Sequence, residues 1–534
     1  MKRKVQEALL KWKAIAGVSI LSKEEATNSF GQNTLGIEQS IEGAIVVTTP
    51  EHVVQVITIA HEYHVPLYPI SGGHNWGYGS ALPVNHECFI LDLSTMNRII
   101  EVNEKLGYMR IEPGVTQGQL YDYFLKHNLP FMVPTTGAGP LGSLIGNALD
   151  KGFGITPHED HFGAVLSLKA VLPNGKIYTS TMNELGGYVS DTLFKWKIGA
   201  YMDGLFVQGN AGVVVEATIA LARKPESMTQ FLIFVNEENF KYVVEGVART
   251  KRRLGSMVGG INIMNKHRLL SMLEPKEVWQ GDGTLTEVHI QELAKKRSLP
   301  DWMIMGGIYG PASLHASIKS LIKKEFEVDA TRIIFLNAKR IKMLLFLVRM
   351  TPFSKLRRTI EGLRDGLEIL EGKPSVVALP LAYLKNPAPL PQPSDLSLHV
   401  NECGLMWFAP LLPADGKFVM EYVSQAKKIC VSHDIEPLVT LTTLSERCFD
   451  ATIPIVFNKS DKESVQKAHA CYKELLEYSK SIGVFPYRTN VETMRDMFDG
   501  REGASFEMLT KIKNAIDPHH IISPGRYGKI PSKE

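Results

Sequence analysis

The sequence predicts an α+β fold built from two parts, and three observations carry that prediction. Residues from about 40 to 120 alternate short β-branched runs with helix-like runs. Two glycine-rich segments, 69–83 and 135–154, punctuate the first part of the chain. After residue 225 the texture changes to longer helical patterns mixed with strands. A chain of 534 residues is also too long for a single core, so two domains are the minimum.

Taken in order, the N-terminal residues 1–13 carry charges through their apolar positions. They read as an amphipathic surface helix rather than a signal peptide. Residues 44–49 form a strand, and 50–63 a helix with Pro50 opening it and Glu51 in its first turn. Strands at 66–70, 88–93 and 108–112 follow, then a helix at 117–127. A hairpin at 167–181 turns on Asn174-Gly175. Further on, 240–254 and 314–326 are helical, and the proline-rich 385–394 is a loop. The most apolar window, 333–350, is broken by Lys339, Arg340, Lys342 and Arg349, so no membrane span is expected.

Composition removes several function classes. A net charge of +3 and the lack of any polybasic run argue against nucleic acid. Five widely spaced cysteines without a C-x-x-C argue against a disulfide framework or a structural zinc site. Together these features lead us to expect a cytoplasmic protein. His158-Glu159-Asp160-His161 invites a metal reading, but the four lie side by side on an extended chain after Pro157, and no metal is expected.

The first glycine segment reads P-I-S-G-G-H-N-W-G-Y-G-S-A-L-P and follows a strand. Gly72, Gly73, Gly77 and Gly79 let the backbone approach a ligand, and successive N–H groups in such a turn suit a pyrophosphate. It is not a G-x-G-x-x-G opening a helix, so a Rossmann site is excluded. With I-L-D-L-S-T-M-N-R-I-I and I-E-P-G-V-T-Q-G-Q-L-Y-D-Y downstream, the segment resembles the FAD-binding domain of the vanillyl-alcohol oxidase/p-cresol methylhydroxylase family. Four later stretches extend the resemblance over nearly the whole chain. These are G-F-G-I-T-P-H-E-D-H-F, D-G-L-F-V-Q-G-N-A-G-V-V-V, F-P-Y-R-T-N and I-S-P-G-R-Y-G.

The resemblance implies a PCMH-type FAD-binding domain at 1–226, completed by 486–534, and a mixed α/β cap over the substrate at 227–485. It places Ser71, Gly72, Gly73, His74, Asn75, Gly77 and Tyr78 on the cofactor. Pro134, Gly142, Gly146, Asn147, Gly154, Asp160 and His161 join them, as do Gly212, Val213, Val214 and Arg526. It implies that Tyr78, Tyr487 and Arg488 hold a phenolate, that Asp160 lies beside the reactive edge of the flavin, and that Arg526 offsets charge on the reduced flavin. A small aromatic substrate, oxygen or a separate cytochrome as electron acceptor, and a homodimer or larger assembly are the implied partners.

A free phenol titrates near pH 10, so holding it as phenolate at pH 7 takes roughly 4 kcal/mol. One guanidinium with two hydroxyl donors is of that order, at about 1.5–3 kcal/mol for each charge-assisted bond. The sequence departs from the family at Ile155, His158 and Glu159. It departs again at Leu405, which stands where some members carry a histidine linked covalently to FAD, and at Phe449-Asp450-Ala451 in place of M-H-H. Leucine cannot alkylate a flavin, so dissociable FAD is expected, the alternative being a covalent link through His399 or Cys403 at a shifted register. Two other readings stay open. One is a 2-hydroxy-acid or other alcohol dehydrogenase with Arg488 on a carboxylate, and the other a flavoprotein binding module that has lost turnover.

Overall fold

The computed structural model describes residues 2–274, 276–281, 283–349 and 354–529. Met350, at the end of the apolar window, and residues 530–534 of the expected C-terminal part lie outside them. The fold is α+β, built on three sheets.

The first sheet has the order β1-β2-β4-β3, from β1 (Ser19–Leu21), β2 (Gly43–Val46), β3 (Leu67–Ile70) and β4 (Phe89–Asp92). β4 runs parallel to both its neighbours. The crossover between β2 and β3 is the Pro50–Tyr63 helix, opened by Pro50 and capped by the Thr49 hydroxyl, which accepts from His52 N–H. That cap ends β2 at Val46, short of the expected 49. Val53, Val56, Ile57 and Ala60 bury the helix against the sheet. The N-terminal helix, Lys2–Lys13, adds Ala8 and Trp12 to this core, and the Trp12 indole donates to Val56 O at 3.1 Å.

The second sheet is antiparallel, in the order β5-β6-β9-β7-β8. Its strands are β5 (Ile99–Asn103), β6 (Tyr108–Ile111), β7 (Val165–Val171), β8 (Ile177–Tyr178) and β9 (Val213–Ala220). The expected hairpin is β7-β8, while β5 was not anticipated from the sequence.

The third sheet has eight strands: β10 (Ser227–Val235), β11 (Asn262–Asn265), β12 (Trp302–Gly310), β13 (Ala330–Leu336), β14 (Gly404–Phe408), β15 (Leu411–Pro413), β16 (Thr440–Thr443) and β17 (Cys448–Phe457). The order is β13-β10-β12-β11-β16-β17-β14, with β15 also on β17. Side chains alternate across a strand, and here the two faces differ. Phe231, Ile233, Ile263, Ile304, Leu441 and Phe449 enter the largest core, beneath the helices Phe240–Leu254, Gly416–Ser432 and Lys462–Ser481. The opposite face turns toward a cavity.

The chain then returns to the first sheet. Leu67 N–H donates to Ile521 O at 2.7 Å, Ser523 N–H donates to Leu67 O at 2.8 Å, and Ile521 and Ile522 join that core. This return carries the 485–490 and 522–528 motifs to the glycine loop. Among the described residues no helix is long and apolar enough to cross a membrane.

Candidate active site

A cavity of about 1080 Å³ lies where the three sheets meet. One wall is backbone-rich. It comprises Ser71, Gly72, Gly73, His74 and Asn75 of the first glycine loop, Gly142, Gly146, Asn147 and Gly154 of the second, and Gly212, Val213 and Val214 at the start of β9. The amides of Gly72, Gly73, His74 and Asn75 donate to no protein acceptor among the described residues, and the His74 Nδ1 is buried without a partner. Gly73 sits at φ +71, and a Cβ there would lie 3.1 Å from the Ala81 Cβ. A Cβ on Gly146 would lie 3.1 Å from the Ser71 Oγ, closing the gap between the two loops. Unpaired amides along a narrow, glycine-lined trough fit the pyrophosphate and flat ring system of FAD.

The facing wall is the open side of the third sheet, and register sets its side chains in two rows. Ile334, Leu232, Met305, Asn262, Thr442 and Asp450 pair successively across β13-β10-β12-β11-β16-β17. Arg332, Phe234, Met303, Met264, Thr440 and Thr452 form the second row. All twelve line the cavity.

Where the two walls meet near β17, charged and phenolic groups converge. Asp150, almost fully buried, binds two arginines. Its Oδ2 lies 2.6 Å from Arg488 Nη2 and 3.1 Å from Arg488 Nε, and its Oδ1 lies 2.8 Å from Arg526 Nη2. Arg488 Nη2 also donates to Asn75 Oδ1 at 2.9 Å, and Arg526 Nη1 donates to the Tyr68 hydroxyl at 3.0 Å. Burial works against both guanidinium charges, but the Asp150 carboxylate and neighbouring phenols outweigh it and hold them above their ordinary range. A guanidinium has five N–H donors. Asp150 and Asn75 take three of these on Nε and Nη2, and the guanidinium also bonds the Tyr487 phenol.

The Arg488 guanidinium stacks over the Tyr78 ring at 4.2 Å, and Tyr487 packs edge-on to Phe153 at 6.0 Å. Gln208 Nε2 donates to Tyr487 O at 2.9 Å and fixes that backbone. Burial raises both phenols above their ordinary value against the pull of Arg488, so both remain O–H donors at neutral pH. The Tyr78 hydroxyl has no protein partner among the described residues.

Asp450 completes the cluster. The Thr452 hydroxyl donates to its Oδ2 at 3.0 Å, and its Oδ1 is buried without a partner. Burial pushes its carboxyl up to about 7, against the Thr452 bond and the nearby Arg488 charge. It is poised to exchange a proton near neutrality.

An FAD binding domain family, FAD_binding_4, matches residues 41–181. Among characterised proteins, the chain is 28% identical to a 1'-carboxy-chondrochloren decarboxylase of Chondromyces crocatus, over 98% of this chain and 97% of the relative. It is 26% identical to the 4-cresol dehydrogenase [hydroxylating] flavoprotein subunit of Pseudomonas putida, over 98% of this chain and 95% of that protein. The fold superimposes on p-cresol methylhydroxylase with bound substrate at a TM-score of 0.85, with 24% identity, covering 100% of this chain and 98% of that one. The chain thus carries an FAD-binding domain and has the fold of p-cresol methylhydroxylase over its whole length. It is an FAD-dependent oxidoreductase with a PCMH-type FAD-binding domain.

Most of the residues expected on the cofactor line the cavity; four do not. Gly77 is off the cavity: its amide donates to the Thr34 hydroxyl at 2.8 Å, and a Cβ there would strike the Trp407 ring. Pro134 and His161 border a separate small cavity, where His161 Nδ1 meets Asn147 Oδ1 at 2.6 Å. The largest correction is Asp160. It is exposed, does not line the cavity, and its Oδ1 accepts from Gly163 N–H at 2.7 Å. That carboxylate caps a surface turn and does not face the site expected for it. Glu159 beside it is held by Lys251 at 2.6 Å.

Leu405 lines the cavity as expected. Cys403 and His399 do not, since the Cys403 thiol packs on Asn386 and the His399 Nδ1 accepts from the Trp76 indole at 2.8 Å. Asp150 was missed. Nothing in A-L-D-K distinguishes it locally from a helix C-cap, which it also is. Asp450 was visible only as a family departure.

Proposed function

We propose that this protein oxidises the para side chain of a 4-substituted phenol, with residues 1–226 and 486–534 holding FAD and 227–485 forming the cap over the substrate. The observation that carries the reading is the convergence of Tyr78, Tyr487, Arg488 and Asp450 at one end of the cavity. When bound, FAD accepts a hydride at its N5. The two tyrosines and the Arg488 guanidinium donate to the phenol oxygen, lowering the cost of the phenolate that pushes electrons toward the para carbon. Asp450, as carboxylate, takes the phenol proton. Its raised pKa makes it a strong enough base to do so and a weak enough one to release the proton again.

Arg488 favours a phenol over a hydroxy acid. The Nε/Nη2 edge, the side suited to bidentate grip on a carboxylate, is already taken by Asp150 and Asn75. A single phenol oxygen does not need that edge. We also propose that FAD is dissociable, because neither His399 nor Cys403 reaches the cavity and Leu405 does. Acid precipitation followed by absorbance of the supernatant tests this, with yellow colour expected in solution and not in the pellet.

A second reading, oxidative removal of a carboxyl group from the same para side chain, is favoured by the full-length similarity to a protein named as a decarboxylase. Release of labelled carbon dioxide from a carboxyl-labelled 4-hydroxyphenyl acid, against aldehyde or alcohol formation from 4-hydroxybenzyl alcohol or 4-ethylphenol, separates the two.

A further inference from the structure

The cap end of the cavity carries a cation that the phenol chemistry does not use. Arg268 lies in the first turn of the Lys266–Leu273 helix, which directly follows β11. Buried Asn265 fixes that turn. Its Oδ1 accepts from Arg268 N–H at 2.9 Å and from Val439 N–H at 3.1 Å, while its Nδ2 donates to Pro437 O at 2.8 Å. The Arg268 side chain lines the cavity. Of its five N–H donors, one meets a protein acceptor: Nη1 donates to the Ser271 hydroxyl at 3.1 Å. No acidic side chain pairs with it among the described residues, and burial pulls its guanidinium down to about 10.

Every comparable cation nearby is accounted for. Lys266, two residues before it, pairs with Glu287 at 2.8 Å and Asp301 at 3.2 Å. Arg297, also on the cavity, pairs with Glu274 at 2.6 Å. Arg488 and Arg526 share Asp150. Arg332 is exposed, on the terminal strand β13 above the Phe234 ring. An enclosed guanidinium with most of its donors idle and no counter-charge is suited to an anion brought in by a ligand.

The sheet gives the spacing. Asp450 on β17 and Asn262 on β11 stand two strands apart in one row, about 10 Å. Met264 follows Asn262 in the second row, with Arg268 one helical turn beyond; Thr442 and Thr440 of β16 stand between β11 and β17, and Met303 and Met305 of β12 flank β11 on its other side. The cavity therefore has a charged group at each end, Asp450 and Arg488 at one and Arg268 at the other.

We propose that Arg268 binds a carboxylate on the far end of the substrate, making the natural substrate a para-substituted phenol with an acidic tail beyond the reactive carbon. This rests on the phenol reading for the opposite end. The test uses (4-hydroxyphenoxy)alkanoic acids over a series of chain lengths, each compared with its primary amide. An ether oxygen replaces the para carbon in these probes, so no hydride can leave and binding is read from the perturbed flavin spectrum of the oxidised, FAD-loaded protein.

The expected result is an acid bound about tenfold more tightly than its amide at the best chain length. In Arg268→Met that ratio falls to about one with amide affinity unchanged, and in Arg268→Lys part of it returns. Equal binding of acid and amide by the wild type, or a preference that survives Arg268→Met, overturns the proposal. So does loss of FAD from Arg268→Met with its melting temperature intact, which assigns the arginine to the cofactor. Plain alkanoic acids and amides without the phenol separate the two layers. If they show the same ratio and the phenol ring adds nothing, Arg268 stands and the phenol reading fails. If 4-ethylphenol reduces the flavin while no acid gains over its amide, the phenol reading stands and Arg268 fails.

Discussion

The two walls of the cavity are made of different material. The FAD-side wall is main chain, with the unpaired amides of 72–75 and the glycines of 142–146 and 212, while the cap-side wall is side chain, set by the register of six strands. A backbone wall recognises what any FAD presents, and its amides serve whatever residues flank them. The cap wall recognises one substrate, and each position on it is free to change with that substrate. Asp150 and the two arginines stand at the seam where the walls meet and tie the C-terminal return to the FAD-side wall. The difference teaches that cofactor identity is written in glycine spacing, whereas substrate identity is written in sheet register.

Substitutions should separate seam, cap wall and backbone wall by size of effect. Asp150→Ala leaves two buried guanidinium groups without their carboxylate, and should cost about 3–5 kcal/mol in urea unfolding. An unchanged midpoint would mean that Asp150 does not tie the C-terminal return to the FAD-side wall. Arg488→Met should lower kcat/KM on a phenol by about a thousandfold, the equivalent of roughly 4 kcal/mol, while the amount of FAD bound stays near that of wild type. Equal losses of FAD and turnover would erase the distinction between the walls.

Asp450→Asn should act through pH. With its carboxyl at about 7, wild-type kcat/KM on a phenol should rise through that pH as the carboxylate forms, and the variant should lose the rise. The stability effect has the opposite sign to a salt-bridged acid. The folded pKa lies above the unfolded value near 3.9, so the folded state holds an extra proton between the two, and stability falls as pH rises from about 4 through 7. Asp450→Asn should therefore melt higher than wild type at pH 8 and gain little at pH 4. Gly73→Ala, at φ +71, should cost about 1–2 kcal/mol in the backbone and weaken FAD binding in fluorescence titration without shifting the phenol pH profile. Asp160→Asn should be the mildest, leaving turnover within about twofold because that side chain faces solvent.

Much of the fold was legible because local signals agree with it. Pro50 and Thr49 mark the helix start that the structure has, and Asn174-Gly175 sits in the β7-β8 turn. The second glycine segment was found the same way, and it lines the cavity at Gly142, Gly146 and Gly154. Asp160 was misplaced because a motif match fixes sequence neighbourhood and not side-chain direction, and here the chain turns that carboxylate onto Gly163. Asp150 and Asp450 were beyond local reasoning. Their partners lie 338 and 376 residues away for Asp150, and Asp450 reaches the cavity only because β17 pairs with β16 in that register. Arg268 reads locally as one more basic residue on an amphipathic helix, and its lack of an acid appears only in three dimensions.

The central claim, that the seam binds and activates a phenol, is tested most directly by mixing the oxidised yellow protein anaerobically with 4-hydroxybenzyl alcohol and with 4-ethylphenol while following flavin absorbance. Rapid bleaching by either, abolished in Arg488→Met, is the predicted result, and admitting oxygen afterwards shows whether it is the electron acceptor. A flavin that stays oxidised with both phenols yet bleaches with a 2-hydroxy acid would contradict the account.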